Sequence, residues 1–194
     1  MNKMEAPFFL NGFFKNLNAV LQYAGFNIDP TNNKIKTKIS KDLAYFHEVG
    51  HAVVAHMMGC NVEEINMNVG KSEFPAVKVS SESFGRLKID DQIKFYMAGY
   101  AAEESYRDTF VTDTSPFKSK DVNEAFDGVE DRAEFDIAAA KKLCGEDQSK
   151  IMDAKNLVVI LINENREKFV RVFFKLGKQG IINREEFLTS YNNK

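Results

Sequence analysis

Apolar residues recur every three or four positions between residues 41 and 58, which is the period of a helix with one buried face. Ser40 is the expected N-cap and Gly59 the expected end, with no proline between them. The face that this spacing buries includes two histidines. Its members are Leu43, His47, Gly50, His51, Val54 and Met58. The pattern therefore predicts a core helix whose inner face is partly polar.

Shorter patterns predict a small sheet and further helices. Apolar residues alternate with polar ones over 61–69 and 76–81, which predicts two strands, with Gly70-Lys71-Ser72 as a turn between them. The segment 107–128 is polar and irregular, and we expect a loop there that could act as a lid. The remaining helices are predicted at 89–106, 129–143, from an N-cap at Asp147 through Ile162, 167–176, and after the capping-box sequence Asn183-Arg184-Glu185-Glu186.

The N-terminal segment, residues 1–39, differs from the rest and is predicted to be helical or extended. One or two short helices are expected over 5–26, and a polar connector over 27–40, in which alternating lysines indicate a solvated strand or loop. A Phe-rich stripe precedes the connector, and it consists of Phe8, Phe9, Phe13, Phe14, Leu17, Val20 and Leu21. We expect this stripe to pack on the main domain, with contact to a partner or a membrane surface as the alternative.

Composition limits the classes of function. The 194 residues are 44% hydrophobic and 28% charged, which suits one globular domain with a core of its own. The net charge of −2 gives no indication of nucleic-acid binding. Cys60 and Cys144 form neither a disulfide framework nor a metal pattern, so a reducing, cytoplasmic setting is expected. No apolar run is long enough to span a membrane.

The inner face of the 41–58 helix contains His47-Glu48-Val49-Gly50-His51, which has the form H-E-x-x-H. Two histidines four residues apart project from one side of a helix, so both can reach one cation, with Zn–N distances near ~2.0–2.1 Å. Glu48 points too far round the helix to be a third ligand, but it can hold a zinc-bound water as a general base. The simpler alternative is a pair of core histidines satisfied by hydrogen bonds, which is costly without a metal.

A catalytic zinc needs three protein ligands and an open position for water, so a third ligand must come from elsewhere in the chain. His56 cannot serve, because it lies roughly 140° round the helix from His51. No other histidine exists, and a cysteine ligand is not expected for a hydrolytic site. The third ligand is therefore sought among the carboxylates.

Asp136 is the best candidate for that ligand. It is expected on the Ala-rich face of the 129–143 helix, where a carboxylate is costly unless a cation, either a metal or a basic side chain, meets it. Glu103 and Glu104 are the rivals, and Glu104 is expected to point inward. Either glutamate could instead orient a liganding histidine through its second ring nitrogen.

Three segments, taken in order, resemble the peptidase domain of FtsH-type zinc metalloproteases. The family's H-E-A-G-H-A is similar to residues 47–52, and its G-G-R-A-A-E-E to Ala98-Gly99-Tyr100-Ala101-Ala102-Glu103-Glu104. Its G-A-x-x-D is similar to Arg132-Ala133-Glu134-Phe135-Asp136. The resemblance covers residues 40 to 190 or so, and it departs from the family pattern at Ala98, Tyr100 and Arg132.

The resemblance implies a fold that is mostly α (α+β), a zincin-like helical metallopeptidase domain over 40–194 with a small β-sheet. It implies His47, His51 and Asp136 as ligands of one zinc ion per chain, with Glu48 as the general base. The family's ATPase module would need a P-loop, and this sequence has none, so we expect no ATP binding. Unfolding of stable substrates is then expected to need a separate unfoldase.

The sequence accordingly predicts a zinc-dependent metalloendopeptidase that hydrolyses peptides or unfolded proteins by a zinc-activated water. The sheet edge within 61–81 is expected to hold an extended peptide by strand addition. Tyr96, Tyr100 and Tyr106 are the candidates for an oxyanion donor. Two other functions stay open at this point: a catalytically silent zinc-binding interaction module, and a metallohydrolase of non-peptide amides.

Overall fold

A computed structural model describes residues 33–68, 75–110, 133–145 and 147–193. They form helices α1 (Asn33–Met57), α2 (Ser81–Gly85), α3 (Ile89–Phe110), α4 (Glu134–Cys144), α5 (Gln148–Glu164), α6 (Arg166–Gln179) and α7 (Arg184–Asn192). The strands are β1 (Val62–Asn66), β2 (Ala76–Val79) and β3 (Ile181–Asn183). The expected class, mostly helical with a small sheet, is confirmed. Predictions for the N-terminal helices, the Phe-rich stripe, the 70–72 turn and the 111–128 part of the loop lie outside the described residues.

Helix α1 begins earlier than its hydrophobic pattern predicts. It already includes Asn33, so Ser40 lies within the helix and is not its N-cap, and the lysine-rich stretch over 34–38 is helical instead of extended. Lysine is a good helix former, and no proline or glycine interrupts these residues, so their polar character does not end the helix. Because residues 1–32 lie outside the described part, the division of the chain at residue 40 stays a prediction.

The C-terminal end of α1 is a Schellman motif at the predicted residue. Gly59 has a φ of +83°, and its N–H donates to the carbonyl of His56 at 2.9 Å. The N–H of Cys60 donates to the carbonyl of Ala55 at 2.9 Å. Glycine adopts this left-handed conformation without the steric cost that a Cβ brings, so the chain turns sharply from α1 into β1.

Helices α1 and α3 cross at very close range, as the glycine in the motif predicts. A Cβ placed on Gly50 would lie 2.5 Å from the carbonyl oxygen of Ala98 and 2.7 Å from the Cβ of Ala102. Both alanines are fully buried. Only small residues at the crossing allow this approach, which brings α3 against the inner face of the H-E-x-x-H helix.

Gly50→Ala is therefore expected to destabilise the fold. Overpacking of a rigid contact costs about 1–3 kcal/mol, which outweighs the gain of about 1 kcal/mol for replacing glycine in a helix. The matched control is Gly177→Ala in α6, where an added Cβ meets nothing within 4 Å. Urea unfolding should show a lower free energy of unfolding for Gly50→Ala and a higher one for Gly177→Ala, each relative to the wild type. Equal stabilisation by both would contradict the close crossing.

The sheet has the strand order β2-β1-β3, and both pairings are antiparallel. The two strands predicted from alternation are confirmed, while β3 was not predicted. It has only three residues, and only Ile182 among them is buried, so it carries no readable period. Ile65 of β1 pairs with Val77 on one side and with Ile182 on the other. Among the described strands, this order places β2 at an edge of the sheet.

The C-terminal helices close the core on the other side of α1. The predicted capping box is confirmed, since Asn183 Oδ1 accepts from the N–H of Glu186 at 3.0 Å and Glu186 Oε2 accepts from the N–H of Asn183 at 3.1 Å. Asp147 occupies the predicted N-cap position of α5, but its side chain makes no capping bond and accepts from Ser149 Oγ at 2.6 Å.

No helix formed by the described residues is long and apolar enough to cross a membrane.

Candidate metal centre

Two helices supply the side chains of the candidate centre. Helix α1 contributes His47, Glu48 and His51, all of them buried, and α4 contributes Asp136 from its first turn. The sequence pattern predicts Asp136 in the middle of a helix over 129–143. In the structure α4 begins only at Glu134, after Ala133 at the N-cap, so Asp136 reaches the centre from a helix end.

Three side-chain atoms converge at one point. The Nε2 atoms of His47 and His51 are 3.1 Å apart, and Oδ2 of Asp136 lies 3.0 Å from the first and 3.2 Å from the second. Ligand atoms around one tetrahedral zinc lie on the order of 3.3 Å apart, given bond lengths near ~2.0–2.1 Å. The structure thus brings together the three residues predicted as ligands, and this group could hold a metal ion.

Hydrogen bonds on the far side of each ring fix which nitrogen faces this point. Nδ1 of His47 donates to Oε1 of Glu103 at 2.8 Å, and Nδ1 of His51 donates to the backbone carbonyl of Phe95 at 2.8 Å. A neutral imidazole carries only one N–H, so each Nε2 then presents a lone pair. When both rings are neutral, two lone pairs and a carboxylate oxygen are directed at one another and repel, unless a proton or a metal cation lies between them. The donor set therefore fits a divalent cation.

The charges around His47 favour positive charge at this point. Burial lowers the pKa of His47, but the hydrogen bonds to Asp136 and Glu103 outweigh it and raise that pKa to about 9. Burial likewise raises the pKa of Asp136, but the two histidines outweigh it and hold that pKa well below its usual value. The carboxylates that raise the pKa of His47 would also attract a divalent cation to this point.

The two rival carboxylates on α3 have different surroundings. Glu103 is fully buried and bonds to His47 from behind, so it occupies the orienting position and not that of the third ligand. Glu104, which was expected to point inward, pairs with Lys155 of α5 at 2.8 Å, and its side chain is 36% exposed. Lys155 is itself buried, and the pair lies outside the group that could hold a metal ion.

Glu103→Ala is expected to weaken metal binding by about 10–100-fold, the usual cost of removing an orienting partner of a histidine ligand. Glu103→Gln should retain most of the affinity, because its amide oxygen can still accept from His47 Nδ1. Competition with a chromophoric chelator measures the metal dissociation constants of both variants. Glu104→Gln is the matched control and should bind metal like the wild type, so an equal loss in both positions would contradict this role.

Gly99 makes room for His47 within α3. A Cβ at this position would collide with the imidazole ring, so the helix can carry only glycine where it crosses the ring. The sequence does contain a signal for this contact, since glycine within a helix costs about 1 kcal/mol and often marks a close approach. The carbonyl of Phe95 gives no such signal, because every residue has one.

Glu48 lies beside the histidines and bonds to the sheet. Its carboxylate accepts from the backbone N–H of Val77, a residue of the edge strand β2. Burial raises the pKa of Glu48 above its usual value, and this outweighs the opposing effects of His51 and His47. A buried carboxylate with a raised pKa next to a cation site has the properties of a general base.

The centre opens into a cavity of about 700 Å³. Its described lining consists of Ala44, His47, Glu48, His51, Pro75, Ala76, Val77, Phe95, Phe135 and Asp136. Residues 75–77 belong to β2 and the residue before it, so an extended chain in the cavity would lie alongside this strand. None of the three candidate tyrosines is among these described lining residues.

The remaining histidine and the cysteines lie apart from the centre. The ring of His56 packs against Phe187 and Tyr191, with ring centroids 5.4 and 4.6 Å away. This position agrees with the prediction that His56 is not a metal ligand. Cys60 is buried and Cys144 is half-buried; both are free thiols, and neither belongs to the candidate metal group.

A comparison of the chain with known protein families finds no match, and neither does a comparison with curated proteins.

Proposed function

We propose that this chain is a zinc metallopeptidase of zincin-like fold, similar to the peptidase domain of FtsH-type proteases. One observation carries the proposal: two histidine nitrogens and a carboxylate oxygen converge beside a second, buried carboxylate, Glu48, at the bottom of an open cavity. A purely structural zinc usually has four protein ligands and needs no base next to it. Within the part of the chain that the structure describes, the group offers three ligands and a candidate base.

Zinc is the cation that this donor set favours, with one ion per chain. Two imidazoles and one carboxylate form a common catalytic zinc set, although the same set also suits Fe(II). When bound, the metal lowers the pKa of a water and polarises a carbonyl, which is the chemistry of amide hydrolysis.

Glu48 performs the proton transfers in this proposal. Its carboxylate accepts a proton from the attacking water and passes it to the leaving amine. The N–H of Val77 holds the carboxylate at the cavity wall, and both imidazoles line the same cavity. His47 is in turn held by Glu103, so the arrangement is set before a substrate enters.

The edge strand indicates the class of substrate. Among the described strands β2 pairs with β1 alone, and we propose that its other side adds an extended peptide as a further strand. Pro75, Ala76 and Val77 line the cavity, so such a peptide would pass directly over the centre. A folded protein cannot present an extended segment in this way. We therefore propose flexible peptides and unfolded proteins as substrates, with a separate unfoldase as partner for stable ones.

The order of elements also supports the zincin-like assignment. The H-E-x-x-H helix packs against β1 and β2, residues of β2 line the cavity, and a later helix contributes the third candidate ligand. Free thiols at Cys60 and Cys144 suit a reducing, cytoplasmic setting.

The proposal is tested on an unfolded protein substrate such as reduced, alkylated casein. Zinc-loaded wild type should cleave it without ATP, chelation should stop cleavage, and added zinc should restore it. A folded, protease-resistant protein serves as the control substrate and should stay intact. If fully zinc-loaded protein cleaves no unfolded substrate, the peptidase proposal is wrong, and the interaction module and the hydrolase of non-peptide amides are the alternatives.

A further inference from the structure

The cavity beside the candidate centre has a largely apolar wall. Six of its ten described lining residues are apolar, and the four polar ones are the three candidate ligands and Glu48. The polar groups are thus concentrated where chemistry is proposed, and the other six described lining residues carry no charge. Such a wall favours a ligand with an apolar group next to the atoms that bind at the candidate metal centre.

Phe135 is a strongly exposed part of that wall. It directly precedes Asp136 and lines the same cavity, yet its side chain is 77% exposed. An aromatic ring gains free energy when a ligand removes it from water, and it does so most effectively against another bulky apolar group.

Ala44 leaves space on the opposite element. It lies one helical turn before His47 and Glu48 on α1, lines the cavity, and is only half-buried. A larger residue here would fill the volume next to the general base. A small residue on α1 and a large exposed ring on α4 together form a wall that can accommodate a bulky side chain.

We propose that Phe135 is a specificity-determining residue, which selects ligands that carry a bulky apolar side chain, such as that of Phe or Leu, beside the group held at the centre. The peptide nature of the ligand rests on the proposed function. Preference for an apolar group, in contrast, depends only on the cavity wall and on an occupied metal site.

The test uses two small hydroxamates, since a hydroxamate binds a protein-held zinc without being turned over. They are identical except that one carries a benzyl and the other a methyl side chain. Calorimetric titration of the zinc-loaded wild type should give at least about tenfold tighter binding of the benzyl compound, in the range that apolar pockets achieve.

Three variants assign the preference to the wall. Phe135→Ala should reduce the benzyl-to-methyl ratio to within about threefold by weakening the benzyl compound. Ala44→Leu should weaken the benzyl compound selectively by filling its space. Ile160→Ala is the matched control, since this residue of α5 is 53% exposed and lies outside the described cavity lining; it should keep the wild-type ratio.

Equal affinities of the two hydroxamates for the wild type would overturn the inference, and so would an unchanged ratio in Phe135→Ala. Failure of both compounds to bind would also overturn it, because the centre would not be accessible. If the preference appears and follows Phe135 while no peptide is cleaved, the inference stands and the proposed peptidase function fails.

Discussion

Glu48→Gln is expected to retain metal and lose peptide hydrolysis. Glutamine has nearly the shape of glutamate, and its amide oxygen can still accept from the N–H of Val77, so the packing around the centre is preserved. It cannot accept a proton from water. General-base catalysis contributes about 10²–10⁴-fold, so turnover of an unfolded substrate should fall by at least that factor.

The experiment needs zinc content and turnover on the same preparations. Glu104→Gln provides the matched control, because this change also neutralises a glutamate, but one that pairs with Lys155 away from the cavity. The control should keep both zinc and turnover. If Glu48→Gln hydrolyses peptide at the wild-type rate, Glu48 is not the base and the mechanism proposed above is wrong.

Asp136→Ala is expected to lose most of its affinity for zinc. The variant keeps two imidazoles but lacks the one negatively charged atom among the three that converge. Removal of a mere orienting partner costs about 10–100-fold in affinity, and removal of a direct ligand should exceed that range. Competition with a chelator measures the loss, and turnover at limiting zinc should fall with it.

Glu134→Ala is the control for this variant. Glu134 lies in the same first turn of α4, but its side chain is exposed and outside the candidate group. Zinc affinity should be unchanged. Wild-type affinity in Asp136→Ala would instead point to Glu103 as the third ligand, since it is the other carboxylate that contacts His47, and it would weaken the likeness to FtsH-type peptidases.

Much of the site is readable from the sequence because it depends on helical spacing. The four-residue interval places His47 and His51 on one face of the helix. Gly50 predicts that another element packs closely against this helix, although the sequence does not show which one. The choice of Asp136 rests on a different principle, the cost of burying a carboxylate without a cation. The structure places Asp136 beside His47 and His51, as this choice predicts, although the helix that carries Asp136 begins later than its pattern suggests.

Other features depend on contacts between distant segments, which one sequence does not encode locally. Whether Glu103 or Glu104 faces His47 is decided by one position along α3 and by Lys155, which lies 51 residues away in sequence. The three-residue β3 forms because β1 offers an edge, and has no period of its own. The start of α1 is missed for a third reason: lysine-rich sequence is compatible with both helix and loop.

The central claim is that two imidazoles and one carboxylate of this chain hold a catalytic zinc. X-ray absorption at the zinc edge of the loaded wild type tests it most directly, because it reports the atoms bound to the metal. The account predicts nitrogen and oxygen ligands only, near ~2.0–2.1 Å, with the scattering pattern of two imidazoles. A sulfur ligand near ~2.3 Å, or a spectrum with no imidazole, would place the metal elsewhere and contradict the account.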